Sequence, residues 1–279
     1  MIRLPIYQVD AFTSSTFKGN PAAVVPLEKW LSDALMQNIA LENNLAETAF
    51  FVKLGPGHYH LRWFTPTVES PLCGHATLAS AYVILTHLEP ELKTVRFESM
   101  LSPLEVGRTL YTGVERLVLD FPVFAPQNAQ IPAGLLEALG LQSSQVLEVF
   151  EARNSFYCVL EDEAAVCQVK PDMALLERVE ARGAVVTAPG QSCDFVSRFF
   201  APRVGIPEDP VTGSIHTTLI PYWAARLNKL ELHARQVSTR GGELWCKLEG
   251  DRVLIAGQVA PYLEGFIEVP SLEENRALE

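Results

Sequence analysis

Arg62-Trp63-Phe64-Thr65-Pro66, followed by Pro71-Leu72-Cys73-Gly74-His75-Ala76, has a faint second copy later in the chain. Arg198-Phe199-Phe200-Ala201-Pro202 repeats the first block at an offset of 136 residues, and Pro210-Val211-Thr212-Gly213-Ser214-Ile215 repeats the second at 139. Chance can produce either match alone. Two in the same order at nearly one offset predict duplicated halves, each an aromatic strand, a proline turn and a glycine that opens a helix. Both helices read as apolar nearly all round: Ala76, Leu78, Ala79, Tyr82, Val83 and Ile84 follow Gly74, and Ile215, Leu219, Ile220, Trp223 and Ala224 follow Gly213. A helix without a polar face is buried, and with many strands around it the natural architecture is a sheet curled about a central helix.

Working outward, strands are predicted at Ile6 to Phe12, Thr48 to Leu54, Tyr59 to Phe64, Leu117 to Phe121, Phe156 to Leu160, Ala184 to Thr187, Phe195 to Phe200, Leu244 to Leu248 and Arg252 to Ala256. A peripheral helix follows Ser32, with Leu35, Met36, Ile39 and Ala40 on its inner face and the Asn43-Asn44 pair at its end. The stretch Phe121 to Gln130 has the proline and amide content of a connector. The expected division is an N-terminal domain over 1–119, a C-terminal domain over 120–265, and a strand or tail over 266–279 that returns to the first domain. The polar end, 271–279, is expected to fray.

At 279 residues the chain has room for two ordinary domains. Lys and Arg number 22 against 33 Asp and Glu, a net charge of −11, so no long-range field draws in nucleic acid or an anionic membrane. Any bound anion has to be caught by local geometry. No run of 18 apolar residues occurs, and the start of the chain reads as a strand rather than an export signal, which places the expected location in the cytoplasm. Five cysteines without a Cys-x-x-Cys pair argue against a disulfide framework or a structural zinc site. His58 and His60 alternate on one strand face, where a solvated face with Arg62 is the better reading than a metal site. His87 and His233 have no evident partner, and His216 would sit in the first turn of its helix. Thr212-Gly213-Ser214-Ile215-His216 is not the elbow of an acyl-transfer nucleophile, and no phosphate loop is present.

The paired helix openings carry the chemistry. The first N–H groups of a buried helix have no partners within it, its dipole is positive at that end, and a glycine lets a ligand oxygen approach. Gly74-His75 and Gly213-Ser214 would together make an anion cradle across an interdomain cleft. Glu47 stands at the mouth of an apolar strand, where desolvation raises the proton affinity of a carboxyl and suits it to acid–base work; a strand-end acid in water is the plainer alternative. Asp209 is open to reading as a turn residue or as one favouring the helix start that follows.

Val9-Asp10-Ala11-Phe12-Thr13, Phe17-Lys18-Gly19-Asn20-Pro21, Asn44-Leu45-Ala46-Glu47-Thr48, Arg62-Trp63-Phe64-Thr65-Pro66, Leu72-Cys73-Gly74-His75-Ala76-Thr77 and Glu208-Asp209-Pro210-Val211-Thr212-Gly213-Ser214 together resemble the PhzF-like, or phenazine biosynthesis-like, family. Arg240-Gly241-Gly242 and Ala256-Gly257-Gln258 resemble that family's C-terminal strands. The resemblance implies an α+β, diaminopimelate-epimerase-like fold: two pseudo-symmetric domains, each a curled, mostly antiparallel sheet around a central helix, with the active site between them and commonly a homodimer. It further implies a cofactor-independent isomerase that moves a proton between carbons of a small carboxylic acid. Glu47 would be the acid–base, His75 and Asp209 would act with it, and Asn20, Gly74, Gly213 and Ser214 would hold the substrate.

The related epimerases place one cysteine at each helix opening. This chain has Cys73 at the first and Thr212 at the second, so Cys73 is expected to pack, and one-sided shuttling by Glu47 is the preferred reading. An epimerase or racemase using Cys73, and a non-catalytic ligand-binding or interaction protein of the same fold, are the alternatives. No metal, flavin or pyridoxal motif is visible, so hydrogen-bond donors at Gly74, His75, Gly213 and Ser214 would have to stabilise the displaced charge, at roughly 3 to 4 kcal/mol each.

Overall fold

The computed structural model describes residues 1–111 and 113–270, and two compact units divide the chain: Met1–Asp120 with the segment from Gly257 onward, and Phe121–Ala256. In the first unit, Val259–Val269 lies against Ile2–Ala11, followed in order by Asn20–Leu27, Glu47–Gly55, His58–Phe64, Thr94–Glu98, Leu104–Tyr111 and Val114–Pro122. Successive neighbours pair antiparallel, antiparallel, parallel, antiparallel, parallel, antiparallel and antiparallel. In the second unit the row is Gln127–Asn128, Val146–Ala152, Ser155–Leu160, Gly183–Pro189, Phe195–Ala201, Glu231–Gln236, Gly242–Glu249 and Arg252–Gly257. Its neighbours follow the same alternation, step for step. The duplication suggested by two short motifs therefore extends to the whole strand order of each unit, and the fold is α+β with mostly antiparallel pairing.

Parallel neighbours cannot be joined by a tight turn; they need a crossover, usually helical. The first central helix, Gly74–Val83, is the crossover between His58–Phe64 and Thr94–Glu98, and Gly213–Leu227 is the crossover between Phe195–Ala201 and Glu231–Gln236. Gly74–Val83 is buried at every position but Tyr82 and touches Ile2–Ala11, Asn20–Leu27 and Glu47–Gly55, so the sheet wraps it. The second central helix is buried through its first eight residues. It contains Pro221, which cannot donate to the Thr217 carbonyl one turn earlier. That carbonyl accepts the Phe124 N–H at 3.2 Å instead, which lets the helix continue to Leu227.

The peripheral helix forms over Asp33–Asn43 as the sequence predicts: Ser32 accepts from the Leu35 N–H, Asn44 closes the helix in the left-handed region, and Leu35, Met36, Ile39 and Ala40 are its buried face. Thr94–Glu98, Val146–Ala152 and Glu231–Gln236 escape the pattern without carrying proline or glycine; other missed strands carry one or both. Asn20–Leu27 holds Pro21 and Pro26, and Leu104–Tyr111 holds Gly107. Val259–Val269 holds Pro261 beside a register shift between Gln8 and Val9 of its partner, the kind of bulge that accommodates a residue with no N–H to give. Because this strand runs along Ile2–Ala11, the return to the first unit begins at Gly257, whereas the sequence analysis assigned residues up to 265 to the second domain. The expected frayed tail, 271–279, lies outside the described residues. All five cysteines are free thiols, and no described helix is long and apolar enough to cross a membrane.

Each central helix buries one histidine, His75 in the first and His216 in the second. Burial pushes His75 down from 6.5 to about 3 and His216 to about 4, the latter partly offset by its bond to the Thr212 carbonyl. The unfolded chain binds more protons than the folded one between these values and 6.5, so stability is lost as the pH falls below 6.5. Each histidine should contribute up to about 1.4 kcal/mol of loss per pH unit. Chemical denaturation at pH 6 and pH 5 should show this slope, and His216→Gln, which removes one of the two titrating groups, should reduce it by about half. A stability flat across that interval would mean that both rings are solvated.

Candidate functional site

Asn20 and Glu47 are the first residues of two parallel neighbours, and parallel strands begin at the same end. Gly74 and His75 begin the central helix packed on those strands. Three element starts thus bring an amide, a carboxyl and an imidazole together. The loop leading into Asn20 is pinned by Asp10, whose buried carboxylate accepts from the Phe17 N–H at 2.9 Å. Gly19 makes the final turn with φ of 63°, and a Cβ there would meet the Ala11 carbonyl oxygen at 2.2 Å. Only glycine serves at that position.

His75 is 3% exposed and Glu47 is 8% exposed, a burial that excludes bulk water from both. Asn20 Nδ2 lies 3.1 Å from His75 Nδ1, and Glu47 Oε2 lies 3.3 Å from His75 Nε2. An amide nitrogen has only hydrogens to offer, so Nδ1 is the acceptor and the ring's single proton sits on Nε2, facing the carboxylate. The Nε2 contact is near enough for strong electrostatics, yet it falls short of a well-formed hydrogen bond. With its proton affinity lowered to about 3, the ring is neutral at ordinary pH. It acts as a fixed dipole beside the carboxylate, not as a counter-charge.

Cys73, expected only to pack, is buried at the helix N-cap, and its Sγ also lies 3.5 Å from His75 Nδ1. No metal is expected from the sequence, but Glu47, Cys73 and His75 do bring three donor atoms within 4.8 Å of one another, of the kinds that suit zinc. Their contacts fall on opposite ring nitrogens: the thiol faces Nδ1 and the carboxylate faces Nε2. The imidazole therefore bridges the two groups.

The second opening is built on the same plan with different atoms. Thr212 occupies the N-cap, 139 positions after Cys73, and neither residue caps its helix with a side chain, unlike Ser32, Asp162 and Asp172 at other helices. In each opening the side chain four residues on donates back to the cap carbonyl: Thr77 Oγ1 to Cys73, and His216 Nδ1 to Thr212 at 2.7 Å. His216 is thus a structural partner of the helix start. Asp209 and Ser214 are both buried, Gly213 opens the helix, and Asp209 accepts from the Thr212 hydroxyl.

Gln236, absent from the sequence analysis, organises this opening. Its Oε1 accepts from the Thr212 N–H at 2.9 Å, while its Nε2 donates to the Asp209 carbonyl at 2.7 Å and lies 3.1 Å from Thr212 Oγ1. Both ends of the amide are matched to backbone groups, so the Thr212 hydroxyl is left as donor to Asp209. No motif announces this residue; the signal available was a polar side chain ending a strand that the pattern search did not find. Elsewhere, His58 sits 3.0 Å from Glu98, His60 lies edge-on to Trp30, and Arg62 is bound by Glu69 and Asp33.

The model of the phenazine biosynthesis-like protein family (PhzC-PhzF) matches residues 9–265. An uncharacterized isomerase of Pseudomonas aeruginosa is 50% identical over 268 residues, which is 96% of this chain and all of that protein. The crystal structure of a PhzF-family phenazine biosynthesis protein from Enterococcus faecalis is 46% identical and superposes with a TM-score of 0.89 over 96% of this chain and all of that one. A hydroxyproline epimerase from Agrobacterium vitis, at 11% identity and a TM-score of 0.63 over 98% of this chain and 94% of its own, shares the fold. On the family model and these identities, the chain belongs to the phenazine biosynthesis-like (PhzC/PhzF) family.

Proposed function

We propose that this protein is a cofactor-independent isomerase in which Glu47 moves a proton between carbons of a small carboxylic acid. The isomerase class follows from the family and from relatives named isomerases; the mechanism and the residue roles are our reading. The observation that carries it is the Glu47 carboxylate, 8% exposed, at 3.3 Å from the Nε2 of a neutral, buried histidine.

In the proposed step the carboxylate takes a proton from a substrate C–H. The bonding pair moves into the adjoining unsaturated system, and the glutamic acid so formed returns the proton to another carbon. Nothing is oxidised or reduced. His75 Nε2–H, which faces the carboxylate at 3.3 Å without a well-formed hydrogen bond, is assigned to developing negative charge on the substrate, and Asn20 holds the ring in the tautomer that puts the proton there. The Gly74 N–H is assigned as a further donor for the substrate carboxylate; in the second unit the family resemblance assigns the Gly213 N–H and the Ser214 hydroxyl to substrate binding and Asp209, which accepts from Thr212, to proton transfer. Donors of this kind act without reorganising as charge develops. A homodimeric assembly and a cytoplasmic location belong to the same reading.

Incubation with small cyclic and amino acids in D₂O tests the reaction. Deuterium should enter substrate carbon, and Glu47→Gln should slow its entry by about 10² to 10⁴ while substrate still binds. Exchange that survives in Glu47→Gln but is lost in Cys73→Ser would transfer the role to the thiol; binding without exchange in the parent protein would make this a non-catalytic member of the fold. Asp209→Asn and Ser214→Ala should each lower kcat/KM at least about tenfold, equivalent to 1.4 kcal/mol. Wild-type turnover in both would remove the second opening from the reaction.

A further inference from the structure

Arg153, Arg182 and Arg203 lie on the second unit along two neighbouring grooves. One, of about 500 Å³, is walled by Arg182, Arg203 and Asn154; the other, of about 230 Å³, is walled by Arg153, Phe124 and Glu151. The hairpin turn Arg153-Asn154 separates them. Three other arginines of this unit are answered by acids, Arg198 by Glu208, Arg226 by Glu148 and Arg235 by Glu163. Among the described residues, no carboxylate lies within ion-pairing distance of Arg153, Arg182 or Arg203. Glu180 shares the larger groove, but it is exposed and pairs with none of them.

The three guanidinium groups are held in place by other means. Arg153 lies over the Phe124 ring at 4.5 Å, Arg182 over the Phe199 ring at 5.3 Å, and Arg203 Nη1 donates to the Val179 carbonyl at 3.1 Å. Arg153 and Asn154 both adopt the left-handed backbone, with φ of 51° and 57°, in a two-residue hairpin loop between paired Ala152 and Ser155. Such loops favour Asn and Gly, and a long side chain at the first position costs about 1 kcal/mol or more. Arg153 Nη1 is buried and has no hydrogen-bond partner. Burial and the neighbouring charge of Arg182 lower the Arg153 proton affinity, so the two cations repel each other across the turn.

We propose that Arg182 and Arg203, which line the larger groove with Asn154, form a binding site for a small oxyanion carrying two negative charges, of the phosphate class. Guanidinium forks match the oxygens of such an anion two at a time. The anion, held in the larger groove beside Arg182, would offset the repulsion between Arg182 and Arg153. The chain's net charge of −11 opposes its approach, so binding should be modest and should weaken with added salt. This site does not depend on the role given to Glu47.

Calorimetric titration with inorganic phosphate and with glycerol phosphate, against chloride at matched ionic strength, tests the proposal. We expect a dissociation constant on the order of 1 mM or tighter. Arg182→Gln and Arg203→Gln should each weaken it at least about tenfold, and Glu47→Gln should bind phosphate as the parent does. Tighter binding of glycerol phosphate would identify a phosphomonoester as the ligand; equal binding would identify free phosphate. Arg203 is exposed, so its variant should keep the parent melting temperature and remain informative if Arg182→Gln does not fold. No heat beyond the chloride control, or binding unchanged in Arg203→Gln and Arg182→Gln, would overturn the proposal.

Discussion

The His75 ring, held between the Asn20 amide and the Glu47 carboxylate, is the contact that the first unit is arranged to create. Burying an imidazole costs free energy unless it stays neutral and its nitrogens have polar neighbours. Here desolvation keeps it neutral, Asn20 occupies one nitrogen and Glu47 faces the other. Several otherwise unrelated sequence features serve that arrangement. Asp10 and Gly19 fix the approach to Asn20, parallel pairing brings Asn20 and Glu47 to one end of the sheet, and the apolar helix after Gly74 brings the ring to them.

Duplication explains why the second unit has the same frame and a different opening. The alternation of strand pairings, the helical crossover and the back-bond to the cap carbonyl all recur, because each is required to bury a helix inside a curled sheet. The side chains at the mouth are not constrained in that way. Thr212 stands where the first opening has a thiol, Ser214 where it has the histidine, and Gln236 supplies the bracing that Asn20 gives on the first side. With one thiol and one threonine at these caps the chain lacks a matched pair of cysteines, and our proposal accordingly gives the base to Glu47.

Much of this was legible in the sequence because it rests on local pattern. Two all-apolar helices opened by glycine, an aromatic strand before each, and a Ser32-to-Asn44 helix are visible as periodicity and caps. Pro21, Pro26, Gly107 and Pro261 hid their strands, since these residues are tolerated in sheets only through pairing partners and bulges that pattern does not reveal. Glu47, His75 and Asp209 came from motif resemblance; that Glu47 and His75 touch, and that Asn20 sets the tautomer, needed coordinates. Gln236 lies 24 residues from the backbone N–H that it accepts, beyond the reach of any local pattern. The unpaired arginines were equally silent, because a missing partner has no sequence signature.

The state of the His75 ring is the point on which the catalytic account stands, and nitrogen-15 NMR of the imidazole reads it directly. The account predicts a neutral ring protonated on Nε2, with an unprotonated Nδ1, unchanged from pH 8 down to pH 5. A ring protonated on Nδ1 alone, or an imidazolium forming near its ordinary value of 6.5, would contradict it.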